Sequence, residues 1–161
     1  DHPADLCFAR GTFNAHPYVM GAMSAFLDHL ETEAAQSLYR GLDAQQDGRA
    51  AELNHRLADA GLPVRVANLS TIWTVTYTQP SRYNWMLQFY LRAHGLALSW
   101  VGTGRLIFSL NFSEDDVHTV RQRFVDAALD MQADGWWWDD PSQSDRGIRR
   151  GILREMLRQR F

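Results

Sequence analysis

Gly61-Leu62-Pro63 divides the patterning of this chain in two. Upstream, from Pro17 on, apolar residues recur at steps of three and four. Downstream, VRVANLS (64–70) and TIWTVTYT (71–78) alternate and are rich in β-branched residues. The first period matches one face of an α-helix and the second one face of a strand. A chain carrying both must combine helices with a sheet.

The helical half falls into pieces. Val19, Met20, Met23, Phe26, Leu27 and Leu30 predict an amphipathic helix from Pro17, in which Gly21 and Ala22 allow another backbone to approach closely. A second helical pattern runs from about Glu33 to Ala60, with interruptions expected near Gly41 and Gly48. Beyond the two strands, Gln79-Pro80-Ser81 breaks the pattern. RYNWMLQFYLRAHG (82–95) then predicts a helix with Trp85, Met86, Phe89, Tyr90 and Ala93 on one face and Gly95 as its stop. LALSW (96–100) and RLIFSLNF (105–112) predict two short strands around Gly102-Thr103-Gly104. Ser113, followed by Glu114, Asp115 and Asp116, can cap a helix running to about Ala133, and its acidic first turn suits the helix dipole.

GWWWDDPSQSD (135–145) leads to a final basic helix over 145–161. The expected class is α+β, a small, mostly antiparallel sheet covered by helices and preceded by long helices. The corresponding divisions are 1–16, 17–62 as connecting helices, 63–135 as a small α+β domain, and 136–161 as linker and basic helix.

At 161 residues the chain can bury a core of its own. A net charge of -3 gives no overall bias toward nucleic acid or an anionic membrane. The single cysteine, Cys7, cannot form an internal disulfide, which suits a reducing cytoplasm. It lacks a neighbouring base and is expected as a small buried apolar residue. No apolar run is long enough to span a membrane, and no signal-peptide pattern is present. The chain opens at Asp1 in a stretch that reads like the middle of a longer protein.

Candidate chemistry is sparse. His2, His29, His55, His94 and His118 are dispersed without metal-ligand spacing, so no metal site is expected. Trp136, Trp137 and Trp138 with the arginines of the tail could suggest a nucleic-acid surface. The i,i+4 stripe Arg146, Arg150, Arg154 and Arg158 beside Ile152, Leu153, Met156 and Leu157 is better explained as an amphipathic helix docked on a body or partner. All 16 residues counted as Lys plus Arg are arginines, so no side chain here can form an imine with a carbonyl group.

GTFNAHP (11–17) stands apart. It brings a glycine turn and a hydroxyl close to a helix opened by Pro17, a combination that suits an anion such as phosphate. With LADAGLPVRV (57–66) and RAHGLALSW…RLIFSLNFSEDDV (92–117), it resembles the class III, fold type I, pyridoxal-phosphate-dependent aminotransferases. The likeness is to the C-terminal portion of the glutamate-1-semialdehyde aminomutase-like branch, over roughly residues 8–135.

The resemblance implies that Gly11 and Thr12 contact the phosphate of pyridoxal 5'-phosphate across a homodimer interface. It also implies that a lysine and an aspartate upstream, in a large domain, hold the rest of the cofactor. His16 stands where many members carry Asn. Arg105 matches a position where members often carry an arginine facing the site. It is either a substrate-binding side chain for a carboxylate or a strand-end arginine in a surface ion pair.

On this reading the whole enzyme moves an amino group between a small-molecule amine or amino acid and a carbonyl compound, and this chain alone, without a catalytic lysine, is inactive. The alternative is a non-catalytic dimerisation or interaction module, a remnant or complementing subunit of such an enzyme. On either reading the surface around Gly11–Met23 is expected to be an interface.

Overall fold

The structure, a computed structural model, describes residues 16–98 and 104–159. The chain divides into two compact units, Asp1–Gly41 and Leu42–Phe161.

The first unit holds two helices. α1 (Pro17–Leu30) starts at the proline expected to open it, and α2 (Glu33–Tyr39) follows after a tight turn. Thr32 joins them: its hydroxyl donates to the His29 carbonyl at 2.7 Å and accepts from the Ala35 N–H at 3.3 Å, capping α2. Arg40 pairs with Glu33 across α2. α1 carries no buried residue.

The second unit begins with α3 (Leu42–Asp59), which buries Gln46, Arg49, Ala50, Leu53 and Leu57 at helical spacing. The break expected at Gly41 is present, and Gly48 lies inside α3 without interrupting it. β1 (Val64–Leu69) and β2 (Ile72–Tyr77) form an antiparallel hairpin in the register Val64↔Tyr77 to Leu69↔Ile72. A 3₁₀ turn (Asn84–Met86) leads into α4 (Leu87–Ala93). β3 (Arg105–Ile107) pairs antiparallel with β2, giving the order β1-β2-β3. α5 (Glu114–Ala133) and α6 (Asp145–Arg158) complete the chain.

The class is α+β, as expected, and the sheet among the described residues is wholly antiparallel. Residues 96–98 of the expected LALSW strand are not in a strand, and 99–103 lie outside the described residues.

Three helices end alike. Gly61, Gly95 and Gly135 have φ of 66°, 79° and 76°. The residue after each glycine donates its N–H back to the helix: Leu62 to Leu57, Leu96 to Leu91, Trp136 to Met131. This is the Schellman arrangement, which uses a left-handed glycine and brings the following apolar residue back onto the helix. The result is a chain that turns sharply after α3, α4 and α5.

Val64, Val66, Trp73, Val75 and Leu106 face one side of the sheet and join Leu53 and Leu57 of α3, Leu87 and Leu91 of α4, and Phe124 and Met131 of α5 in one core. Trp73 packs its ring 4.7 Å from that of Phe108 and donates its indole N–H to buried Gln46 at 3.2 Å. Asn54 reaches from α3 to β1, accepting from the Val66 N–H at 2.7 Å and donating to its carbonyl at 2.8 Å. Those contacts use backbone groups that an unprotected strand edge would leave open.

α3 and α5 are joined by two ion pairs of buried arginines with exposed carboxylates, Arg49 with Glu114 and Arg121 with Glu52. α4 meets α5 through the Tyr90 hydroxyl donating to Asp134 at 2.6 Å and through His94 beside Asp130 at 2.7 Å.

The face of α4 differs from the expectation. Leu87 and Leu91 are buried, whereas Trp85 and Phe89 are exposed and pack on each other with ring centroids 5.6 Å apart. The stretch is apolar on both sides: Trp85 and Phe89 keep helical spacing on one, while the core takes Leu87 and Leu91, with Met86 and Tyr90 of the expected face partly buried against it.

Candidate functional site

The residues with site chemistry fall in both units, and each group is described within its own. In the first unit the feature is the start of α1. Its N-cap, His16, is extended (φ −68°, ψ 127°) and makes no side-chain capping hydrogen bond. The His16 ring stacks on Tyr18, with centroids 5.6 Å apart. Pro17 contributes no N–H, and no acidic residue occupies the first turn. The amides of Tyr18 and Val19 therefore have no partner within the helix, and its first turn carries no carboxylate. Such a terminus accommodates an anion.

Gly11 and Thr12, the residues expected to complete that anion site, lie outside the described residues, as does Cys7. The donor chemistry of the α1 start fits the phosphate end of pyridoxal phosphate. The covalent end finds no counterpart in this chain, because none of its 161 residues is lysine.

In the second unit, Arg105 opens β3. Gly104 (φ 62°) sets its position: a Cβ there would lie 3.2 Å from the Val75 Cβ, and the Gly104 carbonyl accepts from the Val75 N–H at 2.8 Å. This close approach brings Arg105 opposite Thr74 on the sheet face away from the core. The side chain is exposed and forms no ion pair among the described residues.

Along the same face, Leu69, Ile72 and Ile107 stand side by side in register across the three strands, and all three are exposed. Sequence reasoning missed that row. Its signal was present in VRVANLS and TIWTVTYT, where Leu69 and Ile72 put apolar residues in the polar phase of the alternation. Among the described residues no group of His, Cys, Asp or Glu could hold a metal ion, and no helix is long and apolar enough to cross a membrane.

The aromatic run Trp136–Trp138 has a packing role. The Trp137 indole donates to the Ala128 carbonyl at 2.9 Å and lies beside Tyr77, while Trp136 and Trp138 flank Tyr83 at 5.6 and 6.0 Å. Burial pushes the Tyr77 phenol up to about 12. Partial desolvation, then the Asp134 hydrogen bond, pushes Tyr90 up to about 12 as well. Arg82 lies beside Glu155 and holds its carboxyl below the usual carboxylate range.

No family model matches the chain. Among curated proteins, it is 34% identical over 76 residues to a glutamate-1-semialdehyde 2,1-aminomutase of Nitratidesulfovibrio vulgaris (strain DP4). That stretch covers 47% of this chain and 17% of the relative.

Three solved structures share the fold. A transaminase with PLP bound superposes with a TM-score of 0.62 at 20% identity, covering 80% of this chain and 31% of that one. An omega-transaminase from Sphaerobacter thermophilus gives 0.61 at 18% identity, covering 78% and 31%. A β-phenylalanine aminotransferase from Variovorax paradoxus gives 0.60 at 21% identity, covering 81% and 32%. The chain thus spans less than a third of the length of these structures. Two units of helices with a three-stranded antiparallel sheet, superposed over four-fifths of the chain, carry the fold of the C-terminal part of a transaminase, and nearly half of the sequence resembles a glutamate-1-semialdehyde aminomutase.

Proposed function

We propose that this chain is the C-terminal part of a pyridoxal-phosphate-dependent aminotransferase or aminomutase, a class III enzyme moving an amino group between an amine or amino acid and a carbonyl compound. The observation that carries the reading is the convergence of two likenesses, in sequence to an aminomutase and in fold to transaminases. On this reading residues 1–16 end the large-domain region, 17–62 connect, and 63–135 form the small domain. The dispersed histidines and the single cysteine suit a cytoplasmic enzyme without a structural metal.

The cofactor, when bound, supplies an electron sink for carbanion chemistry. The residues of this chain have narrower tasks. Gly11, the Thr12 hydroxyl and the amides opening α1 bind the phosphate, from one subunit of a homodimer to the site of the other. Arg105, exposed at the start of β3, binds a substrate carboxylate in the bidentate manner of a guanidinium. The amine that carries the cofactor must come from a lysine-bearing large domain, so the 161 residues alone do not catalyse the reaction.

A second reading, a non-catalytic dimerisation module derived from such an enzyme, is favoured by the same lysine absence together with the unburied apolar residues of α1. Reconstitution separates the two. Joined to a lysine-bearing aminotransferase large domain, the chain should retain pyridoxal phosphate, read by cofactor absorbance after gel filtration. Thr12→Val should weaken retention by about 1.5–3 kcal/mol, one hydrogen bond to a charged group. Retention unchanged by Thr12→Val, or phosphate contacts from another residue pair, would overturn the assignment of Thr12. An assembled complex that takes up no cofactor would favour the module.

A further inference from the structure

Three successive tryptophans, Trp136–Trp138, follow the left-handed Gly135 that ends α5. Only the middle ring is turned inward. The Trp137 indole donates to the Ala128 carbonyl at 2.9 Å, and the Trp136 N–H donates to the Met131 carbonyl at 3.0 Å. With the run pinned at those two points, Trp136 and Trp138 remain 37% and 42% exposed, and both pack on Tyr83. Tyr83 is fixed in turn. Its N–H donates to the Ser81 hydroxyl at 3.2 Å, and the side chain of its buried neighbour Asn84 donates to the Gln79 carbonyl at 2.9 Å.

The two indole planes are tilted against Tyr83, at 58° and 73°. With Arg82, Gly135 and Gln143 these rings line a cavity of about 440 Å³, within the span of small-molecule sites, ~300–1,000 Å³. A Cβ added at Gly135 would meet nothing within 4 Å, so that wall is open. The polar tips of the lining are unspent: Trp136 Nε1, Trp138 Nε1 and the Tyr83 hydroxyl have no hydrogen-bond partner among the described residues. Gln143 gives its side-chain N–H to Asp140 at 3.2 Å and keeps its carbonyl open. Arg82, the one charged lining residue, is already engaged. It donates through Nη1 and Nη2 to the two Glu155 oxygens at 3.2 and 2.9 Å.

We propose that this cavity binds an uncharged sugar ring, its C–H face stacked on the aromatic rings and its oxygens at the indole and phenol tips. The lining selects that chemistry. An anion would have to draw Arg82 from Glu155, and a cation would meet the Arg82 guanidinium that shares the cavity. A wholly apolar ligand would strip water from two indole N–H groups and a hydroxyl and leave them unpaired, at a cost for each. Indole N–H groups only donate, so the open tips are weighted toward donors. A sugar, with ring and linkage oxygens besides its hydroxyls, is weighted toward acceptors. Its C–H groups, made electropositive by the adjoining oxygens, suit the negative faces of indole and phenol. Because packing already fixes the rings, little ordering cost is left for binding. The proposal is independent of the aminotransferase reading, since the cavity shares no residue with the α1 start or Arg105.

The test uses the full chain with three neutral probes, cellotriose, maltotriose and N-acetylchitotriose, against choline chloride, benzoate and an oligoproline peptide. Titrations followed by saturation-transfer NMR should show at least one saccharide binding saturably at millimolar concentration or below, with transfer strongest to the C–H groups of one ring face. Binding should not weaken as salt is raised, because no charge pair forms. Trp136→Ala and Trp138→Ala should each weaken it by about tenfold. Tyr83→Phe, which keeps the ring and removes the hydroxyl, should weaken it by about threefold. Trp85→Ala removes an exposed ring outside the cavity and should change nothing. Unchanged far-ultraviolet circular dichroism of each variant distinguishes lost binding from lost fold. No binding of any of the three saccharides, binding indifferent to both cavity tryptophans, or tighter binding of choline, benzoate or the peptide at those tryptophans would each overturn the proposal.

Discussion

Among single residues, Tyr77 couples the core to pH most directly. It ends β2 on the core side of the sheet and packs against Trp137, with ring centroids 6.2 Å apart. Burial disfavours the phenolate and raises the group to about 12, against about 10 in an unfolded chain. The folded state therefore holds its proton where the unfolded state has lost it. The stability from a neutral Tyr77 is complete below pH 10 and lost as pH rises from about 10 to 12, by about 2–3 kcal/mol over the window. Denaturant unfolding near pH 9 and again near pH 11.5 should show that fall. Tyr77→Phe should reduce it, leaving the part contributed by Tyr90, which is raised in the same direction. An alkaline loss of stability identical in Tyr77→Phe would assign it elsewhere.

At the level of elements, α5 holds the second unit together: it contributes to the core and meets both α3 and α4. Its start is fixed by a reciprocal pair. The Ser113 hydroxyl accepts from the Asp116 N–H at 3.1 Å, and the Asp116 carboxylate accepts from the Ser113 N–H at 2.9 Å. The Ser113 hydroxyl also donates to the Asp116 carboxylate at 2.7 Å, and that bond, followed by the one from the Ser113 N–H, holds Asp116 below its ordinary range. Ser113→Ala should cost about 1 kcal/mol of stability in urea unfolding, with the m-value unchanged. No measurable cost would mean that water replaces the cap fully.

The same locality explains what the sequence made legible. Pro17, Gly61, Gly95, Ser113 and Gly135 each govern a boundary through bonds within a few residues, so helix ends could be read from short stretches. The face of α4 could not, because the stretch carries large apolar residues on both sides, Trp85 and Phe89 on one and Leu87 and Leu91 on the other. Of the exposed row, Leu69 and Ile72 left a signal in the alternation, whereas the place of Ile107 beside them exists only once β3 pairs with β2 over an intervening helix. Of the candidate site, the open start of α1 and the strand-end position of Arg105 were legible, both from local signals.

Over the whole molecule the two units are stabilised very differently. The second has a continuous core, whereas Ala35 is the only buried residue among the described residues of the first. α1 exposes Val19 (46%), Met23 (51%), Phe26 (55%) and Leu27 (52%). A soluble monomer seldom leaves so many large apolar side chains together on one short helix, since each forgoes about 1.5–3 kcal/mol available on full burial. Gly21 lies near the middle of α1, and nothing stands within 4 Å of where its Cβ would be, so a second helix can approach there.

The solved transaminases that share the fold are about three times longer than these 161 residues. In a solution of these 161 residues alone, another copy of α1 offers a cover of matching apolar character. The chain should therefore self-associate at low micromolar concentration in sedimentation velocity. Val19→Glu or Met20→Glu should shift it toward monomer, because a charge brought into an apolar contact costs far more than one left in water. A monomer in which neither substitution changes sedimentation would mean that the apolar side of α1 faces its own chain in solution.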